Sequence, residues 1–349
     1  MLRPNQTVSL SSLADLRPLM ADLPGPDQEA VAAVQAREPQ LTKPPKSLGR
    51  LESLTEWLAA WQGRSLPGIY HPVCRIFAGN HGVADLGVSA FPAAVTEQMV
   101  LNFEQGGAAV NQLCKAFGIH LSVTALDLDS PTQPFTTGPA MDEATLCKAL
   151  STGLSTDLTG ADSLSVGEMG IANTTSAAAL CLALFGGSPA DWTGPGTGVV
   201  GAALDTKIKV VAEGAAFHQQ AIYALPAQDK GLEALRRLGG RELAAMAGAV
   251  LKARHCRVPV ILDGYIATAA ASSLTPGHPG ILDHCLLSHR SREPGHSRLA
   301  EELGMDPLLD LGLALGEASG ACLAVPLLRA ATQCHMGMAT FGEAGVADG

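Results

Sequence analysis

Three short apolar runs constrain this chain more than any other feature: Val73-Cys74-Arg75-Ile76-Phe77-Ala78, Leu121-Ser122-Val123-Thr124-Ala125-Leu126 and Val258-Pro259-Val260-Ile261-Leu262. Each stops at a polar or glycine-containing turn, respectively Gly79-Asn80-His81-Gly82, Asp127 and Asp263-Gly264, and a helical pattern follows. Buried strands that alternate with helices imply a parallel α/β sheet. Pro259 has no N–H to give to a ladder, so it belongs at the start of its strand. Ligands of such sheets bind outside the carboxyl ends of the strands, where these turns lie.

The two ends of the chain read differently from the middle. Ser12 to Met20 is a short amphipathic helix. Asp27 to Arg37 is an Ala-rich helix with Pro26 in its first turn. Ser47 to Trp61 carries Leu48, Leu51, Leu54, Trp57 and Leu58 near helical spacing. Past about residue 298, Pro307 to Ala314 and Gly320 to Met338 are Leu- and Ala-rich and read as helical again. The expected organisation is a smaller helical domain made from residues 1–62 and 299–349, and a large α/β domain over 63–298 that carries most of the active site.

With 47% hydrophobic and 16% charged residues, the 349-residue chain can bury a large core. A formal net charge of −10 argues against nucleic acid or an anionic membrane as the main partner. An anionic small molecule stays open, since backbone N–H groups alone can build its site. No apolar run is long enough to span a membrane, and Met1 to Gln6 lacks the apolar core of a signal peptide. The eight cysteines form no C-x-x-C pair and read as reduced, buried thiols of a cytoplasmic protein. Neither a cofactor nor a metal is expected.

Five stretches carry candidate chemistry. Gly167-Glu168-Met169-Gly170-Ile171-Ala172-Asn173-Thr174-Thr175-Ser176 precedes an Ala-rich helical run, so it reads either as an anion site at a helix start or as simple N-capping by Asn173 or Thr174. Gly194-Pro195-Gly196-Thr197-Gly198 is a Gly-rich turn without G-x-G-x-x-G spacing. Lys207 follows it, either as a cation for the same anion or as a solvated lysine. In His289-Arg290-Ser291-Arg292-Glu293-Pro294-Gly295-His296, Ser291 and the two arginines suit a phosphate or carboxylate, or form a solvated loop. The neighbouring His284, Cys285, His289 and His296 match no zinc spacing. His81 is either catalytic or a turn hydrogen-bonder. In Leu315-Gly316-Glu317-Ala318-Ser319, small and apolar residues surround Glu317. That suits a general base, and equally a helix-end carboxylate.

The combination resembles one family. Leu41-Thr42-Lys43-Pro44-Pro45-Lys46-Ser47-Leu48-Gly49-Arg50-Leu51-Glu52 is similar to the L-T-K-P-P-G-S-L-G-R-L-E signature of the nicotinate-nucleotide–dimethylbenzimidazole phosphoribosyltransferases. His81-Gly82-Val83, Gly87-Val88-Ser89, Val95-Thr96, Gly167-Glu168-Met169-Gly170, Asn173-Thr174-Thr175, Gly196-Thr197-Gly198 and Leu315-Gly316-Glu317 follow in family order.

The resemblance implies transfer of 5-phosphoribose from nicotinate mononucleotide to 5,6-dimethylbenzimidazole. It also implies a Rossmann-like large domain, a small helical domain from both chain ends and a homodimer. Glu317 becomes the general base, with Glu168 beside it in the catalytic set. Gly170, Asn173, Thr174, Thr175, Gly196, Gly198, Lys207 and Ser291 become substrate-binding positions. Leu315, with Leu313 and Met99, is the expected apolar slot for the flat acceptor. The chain departs from the family pattern at Lys46, Ala172 and Ala318, where Gly is usual, and at Asn80 and Ala314, where Asp and Arg are frequent. The two added methyl groups, on Ala172 and Ala318, are expected to narrow the site. A hydrolase that lets water replace the acceptor, and a non-catalytic nucleotide binder, are the alternative readings. The pairing of Glu168 with Glu317 argues against the second, because a phosphate binder gains nothing from carboxylates.

Overall fold

The computed structural model describes residues 1–347. Five strands form one sheet: β1 (Pro72–Ala78), β2 (His120–Ala125), β3 (Ser163–Met169), β4 (Val260–Leu262) and β5 (Cys285–Leu287). Their order is β2-β1-β3-β4-β5 and every pairing is parallel. This is the α/β architecture that the apolar runs predict. It is a doubly wound order, with its switch point between β1 and β3. Pro259 lies just before β4, outside the strand.

Alternation along the strands feeds two apolar layers. Phe77, Leu164, Val166, Val260 and Leu262 join one cluster with the helices Glu143–Leu154, Asn173–Phe185, Arg241–His255 and Tyr265–Ser272. Cys74, Ile76, Ala78 and Ile261 join the other, with the helices Arg50–Gln62, Ala109–Phe117 and Ser319–Gly337. A fully buried leucine such as Leu58 or Leu328 contributes about 1.5–3 kcal/mol relative to exposure.

The terminal helices do meet, since Arg50–Gln62 packs on both Gln28–Arg37 and Ser319–Gly337. Their apolar cluster, however, is continuous with the sheet. Residues near the N-terminus pack in the opposite layer: Leu10, Leu16 and Met20 are buried there, and Leu10 N–H donates to Ser151 Oγ at 2.9 Å. A cut at residue 62 therefore runs through shared cores.

Three local expectations need correction. Asp27 caps the Gln28–Arg37 helix by accepting from Ala30 N–H at 3.0 Å, so Pro26 lies outside the first turn. Ser12 to Met20 divides into a 3-10 turn, Leu13–Leu16, and a five-residue helix, Arg17–Ala21. Pro307 to Ala314 is not helical but an extended strap. Leu308 and Leu309 N–H donate to Leu287 and Ser288 carbonyls, and Arg290 and Arg292 N–H donate to Leu309 and Leu313 carbonyls. Pairing with the segment after β5 satisfies this backbone, and the strap delivers residues 314–317 to the sheet's carboxyl edge. Among the described residues no helix is long and apolar enough to cross a membrane.

Candidate active site

A cavity of about 610 Å³ opens at the carboxyl ends of β3 and β4. Glu168, Gly170, Asn173 and Thr174 enter it from β3 and the helix that follows. Gly196 and Gly198 come from the glycine-rich loop, Ser291 from the loop after β5, and Leu315 and Glu317 from the end of the strap. Nine of the eleven expected site residues thus meet around one space. Lys207 and Thr175 do not line it. Thr175 points into buried structure, and its hydroxyl finds no partner.

The turn after β3 is built by backbone geometry. Ala172 takes a left-handed conformation (φ +72°) and precedes the Asn173–Phe185 helix, whose start has no side-chain cap. N-capping by Asn173 or Thr174 is therefore excluded. The Asn173 amide instead donates to Glu168 Oε2, and Thr174 Oγ1 accepts from Lys207 Nζ at 2.8 Å. Lys207 also donates to the Gly194 carbonyl at 2.9 Å, so the buried ammonium ties the helix start to the glycine-rich loop. Burial lowers its pKa to about 8, against the pull of Glu293. Glu293 holds that loop from the other side, accepting from Gly196 N–H at 2.9 Å. Thr197 Oγ1 meets Ser89 Oγ at 2.9 Å, which explains why two distant motifs occur together.

Glu317 and Ala318 are both left-handed, with φ of +65° and +59°. This double turn starts the Ser319–Gly337 helix and leaves the Glu317 side chain at the cavity wall. Burial alone raises its pKa. Asp263, directly after β4, anchors the turn from below: its Oδ1 accepts from Ala321 N–H at 3.0 Å. Burial pushes Asp263 to about 7, although backbone N–H groups pull it down. Glu168 is raised to about 8, first by burial, with Glu242, Asp263 and Glu317 adding repulsion and the Asn173 hydrogen bond opposing. At neutral pH Glu168 is mostly protonated, and the cavity is less anionic than its carboxyl count suggests.

All three positions where Gly is usual in the resembled family, Lys46, Ala172 and Ala318, have left-handed backbone, with φ of +62°, +72° and +59°. Only Gly takes this conformation without strain. The methyl groups of Ala172 and Ala318 are buried and line no part of the cavity, which corrects the expectation that they narrow it. Ala318 packs against Gly167 of β3, where any side chain would collide with it.

Of the apolar slot, Leu315 and Met99 line the cavity with Phe91, Val95 and Ile266, while Leu313 does not. His81 lies outside, held between Glu242 Oε1 at 2.5 Å and Ser176 Oγ at 2.9 Å. This buried network sits under the Gly79 and Gly170 turns. His284, Cys285, His289 and His296 do not gather into a metal-holding group; among the described residues only Cys74, Cys114 and Cys322 do so. Sequence reasoning missed Asp263 and Glu293. Asp263 had a usable signal, a carboxylate directly at a strand's carboxyl end. Glu293 had none, because its partner Gly196 lies 97 positions away.

A crevice at the carboxyl ends of β3 and β4, with a Gly-rich loop, a helix start and a buried carboxylate at its wall, suits transfer of a group from an anionic nucleotide. A family profile described as phosphoribosyltransferase matches residues 23–346, and the chain belongs to this family. It is 55% identical to a nicotinate-nucleotide–dimethylbenzimidazole phosphoribosyltransferase of Roseobacter denitrificans, over 98% of this chain and 100% of that one. It is 54% identical to the protein of the same name from Ruegeria pomeroyi, over 98% and 99% of the two chains. The crystal structure of CobT from Thermus thermophilus superposes with a TM-score of 0.83 at 42% identity, covering 92% of this chain and all of that one.

Proposed function

We propose that this chain transfers the 5-phosphoribosyl group of nicotinate mononucleotide to 5,6-dimethylbenzimidazole, with Glu317 as general base. The products are nicotinate and α-ribazole 5′-phosphate, the precursor of cobalamin's lower ligand. The names of full-length relatives support the reaction. The observation that carries the mechanism is the placement of Glu317: a carboxylate that only burial perturbs, on a left-handed turn, beside Leu315 at the cavity wall.

In this reading the flat base lies among Met99, Val95, Phe91 and Leu315. Its ring nitrogen attacks C1′ while the C1′–N bond to nicotinate breaks. The bonding pair returns to the nicotinate nitrogen, which is cationic in the nucleotide, so departure needs no acid. The acceptor becomes cationic and passes its N–H proton to Glu317. Such general-base assistance contributes roughly 10²–10⁴-fold. The start of the Asn173–Phe185 helix turns its positive dipole end toward the phosphoribosyl anion, and the Gly196–Gly198 loop, whose Gly196 and Gly198 N–H groups hold Glu293 and the Pro195 carbonyl, lets backbone approach it closely. Two of the three N–H bonds of Lys207 hold protein oxygens, so this buried ammonium supports that anion through its charge and through the Thr174 and Gly194 positions it fixes. Protonated Glu168 serves as a hydrogen-bond donor rather than a repelling charge. The reading uses no cofactor. A homodimer in the cytoplasm belongs to the same reading, supported by the family resemblance and by cysteines that are all free.

The test is mass spectrometry of products from nicotinate mononucleotide with and without dimethylbenzimidazole. Ribazole phosphate formed in step with nicotinate supports the transfer. Nicotinate released equally fast without acceptor would make the chain a hydrolase, and no nicotinate at all would leave it a binder.

A further inference from the structure

We propose that Cys74, Cys114 and Cys322 form a second site, a three-sulfur cradle for one thiophilic metal ion, outside the catalytic cavity. The residues come from β1, the Ala109–Phe117 helix and the Ser319–Gly337 helix, so only folding brings them together. Their sulfur atoms all lie within 4.8 Å of one another, and Cys114 Sγ is 3.7 Å from Cys322 Sγ. An ion about 2.3 Å from each of three sulfurs sets the sulfurs roughly 3.8–4.0 Å apart. The cradle therefore needs rearrangement of less than about an ångström. It is the one such cluster of His, Cys, Asp and Glu ligands among the described residues.

The surroundings choose the class of ion. Leu54, Ile76, Phe103, Val110 and Val325 belong to the same buried cluster as the three cysteines, and no carboxylate or imidazole joins the ligand group. A dry, all-sulfur site of low coordination number selects soft ions such as Cu(I), Zn(II) or Cd(II) over Mg(II), Ca(II) or Mn(II). One ligand also stands where a helix favours negative charge. Cys322 is the fourth residue of a 19-residue helix, close to the positive end of its dipole. On binding, each thiol that ligates releases its proton to solvent and gives a sulfur lone pair to the ion, with no change of oxidation state. Cys322 N–H donates to the Ala318 carbonyl at 2.9 Å, so an occupied cradle also fastens the turn that presents Glu317.

The test titrates the reduced protein, without oxygen, with Cd(II) and separately with Cu(I). The expected result for at least one ion is a sulfur-to-metal charge-transfer band that saturates at one equivalent, with a rise in melting temperature. The band should vanish in Cys74→Ser, Cys114→Ser and Cys322→Ser, and persist in a Cys256→Ser/Cys334→Ser variant, which removes the two half-buried thiols. Comparing the two ions shows which charge the cradle prefers. Because a serine in this core can unfold the chain, X-ray absorption on the wild-type protein with one equivalent of metal gives an independent answer: three sulfur neighbours and no oxygen or nitrogen. Uptake of neither ion, a band that depends on Cys256 or Cys334, fewer than three sulfurs, or oxidation to a Cys114–Cys322 disulfide without metal uptake overturns the proposal.

Discussion

Glu168 and Gly316 interlock: Glu168 Oε1 occupies the space where a side chain on residue 316 would stand. The strand that carries one carboxyl group thereby seats the turn that carries the other, Glu317. Gly316→Ala should leave the fold intact and displace Glu317, because its methyl group meets the Glu168 carboxyl, which the Asn173 amide holds in place. A displacement of about 1 Å at a reacting group costs on the order of a hundredfold in rate. Steady-state kinetics should show the loss in kcat, with nucleotide affinity nearly kept. Unchanged kcat would mean that Glu168 does not set the position of the turn.

The Glu168 carboxyl also ties stability to pH. Its ordinary pKa is 4.5 and its folded value is about 8. Between those values the folded chain holds a proton that the unfolded chain has released. The associated stability is complete below about pH 4.5 and is lost as pH rises through about 8, a change on the order of a few kcal/mol. Glu168→Gln keeps an acceptor for Asn173 and removes the titration. Denaturant melts from pH 5 to pH 9 should show a flatter stability profile than wild type, with the variant gaining most at the alkaline end.

Lys207 predicts a second pH effect of different origin. Its pKa falls from 10.5 to about 8 because the ammonium is buried. If it helps hold the phosphoribosyl anion, nucleotide affinity should decline as pH rises above about 8, where the free protein loses this charge. Lys207→Ala should weaken nucleotide binding by about 1.5–3 kcal/mol, roughly ten- to a hundredfold. Affinity for uncharged dimethylbenzimidazole should barely change. Calorimetry on both ligands checks this, and an equal loss for the two would point to collapse of the Thr174–Gly194 junction instead.

The left-handed alanines carry a stability prediction. Ala172→Gly and Ala318→Gly should each stabilise the chain by about 0.5–1 kcal/mol, since Gly relieves the φ strain at some cost in unfolded-state entropy. Equilibrium unfolding in urea measures this, and destabilisation by either variant would show that methyl packing outweighs backbone strain.

Much of the sheet was legible because β1, β2 and β4 are apolar runs that end at polar turns. β3, its centre, was not. Ser163, Ser165 and Gly167 give it the look of a loop, yet all seven of its residues are buried. Small residues there allow close approach, as Gly167 does for Ala318. The strap over 307–314 misled for the opposite reason: its leucines suggest a helix, but its backbone is satisfied by the segment after β5. Glu168, Glu317 and the two glycine turns could be picked out because each stands at a break in an apolar pattern. Residues that act through a partner far along the chain, such as Glu293 with Gly196, leave no local trace.

The most direct test of the account is the turnover of Glu317→Gln with nicotinate mononucleotide and dimethylbenzimidazole, measured beside calorimetric affinities for both substrates. Gln keeps the size and polarity of the side chain and cannot take the proton. The account predicts affinities within a few-fold of wild type and a kcat lowered by roughly 10²–10⁴-fold. A variant that turns over at nearly the wild-type rate would contradict it, and would show that the acceptor's proton leaves by another route.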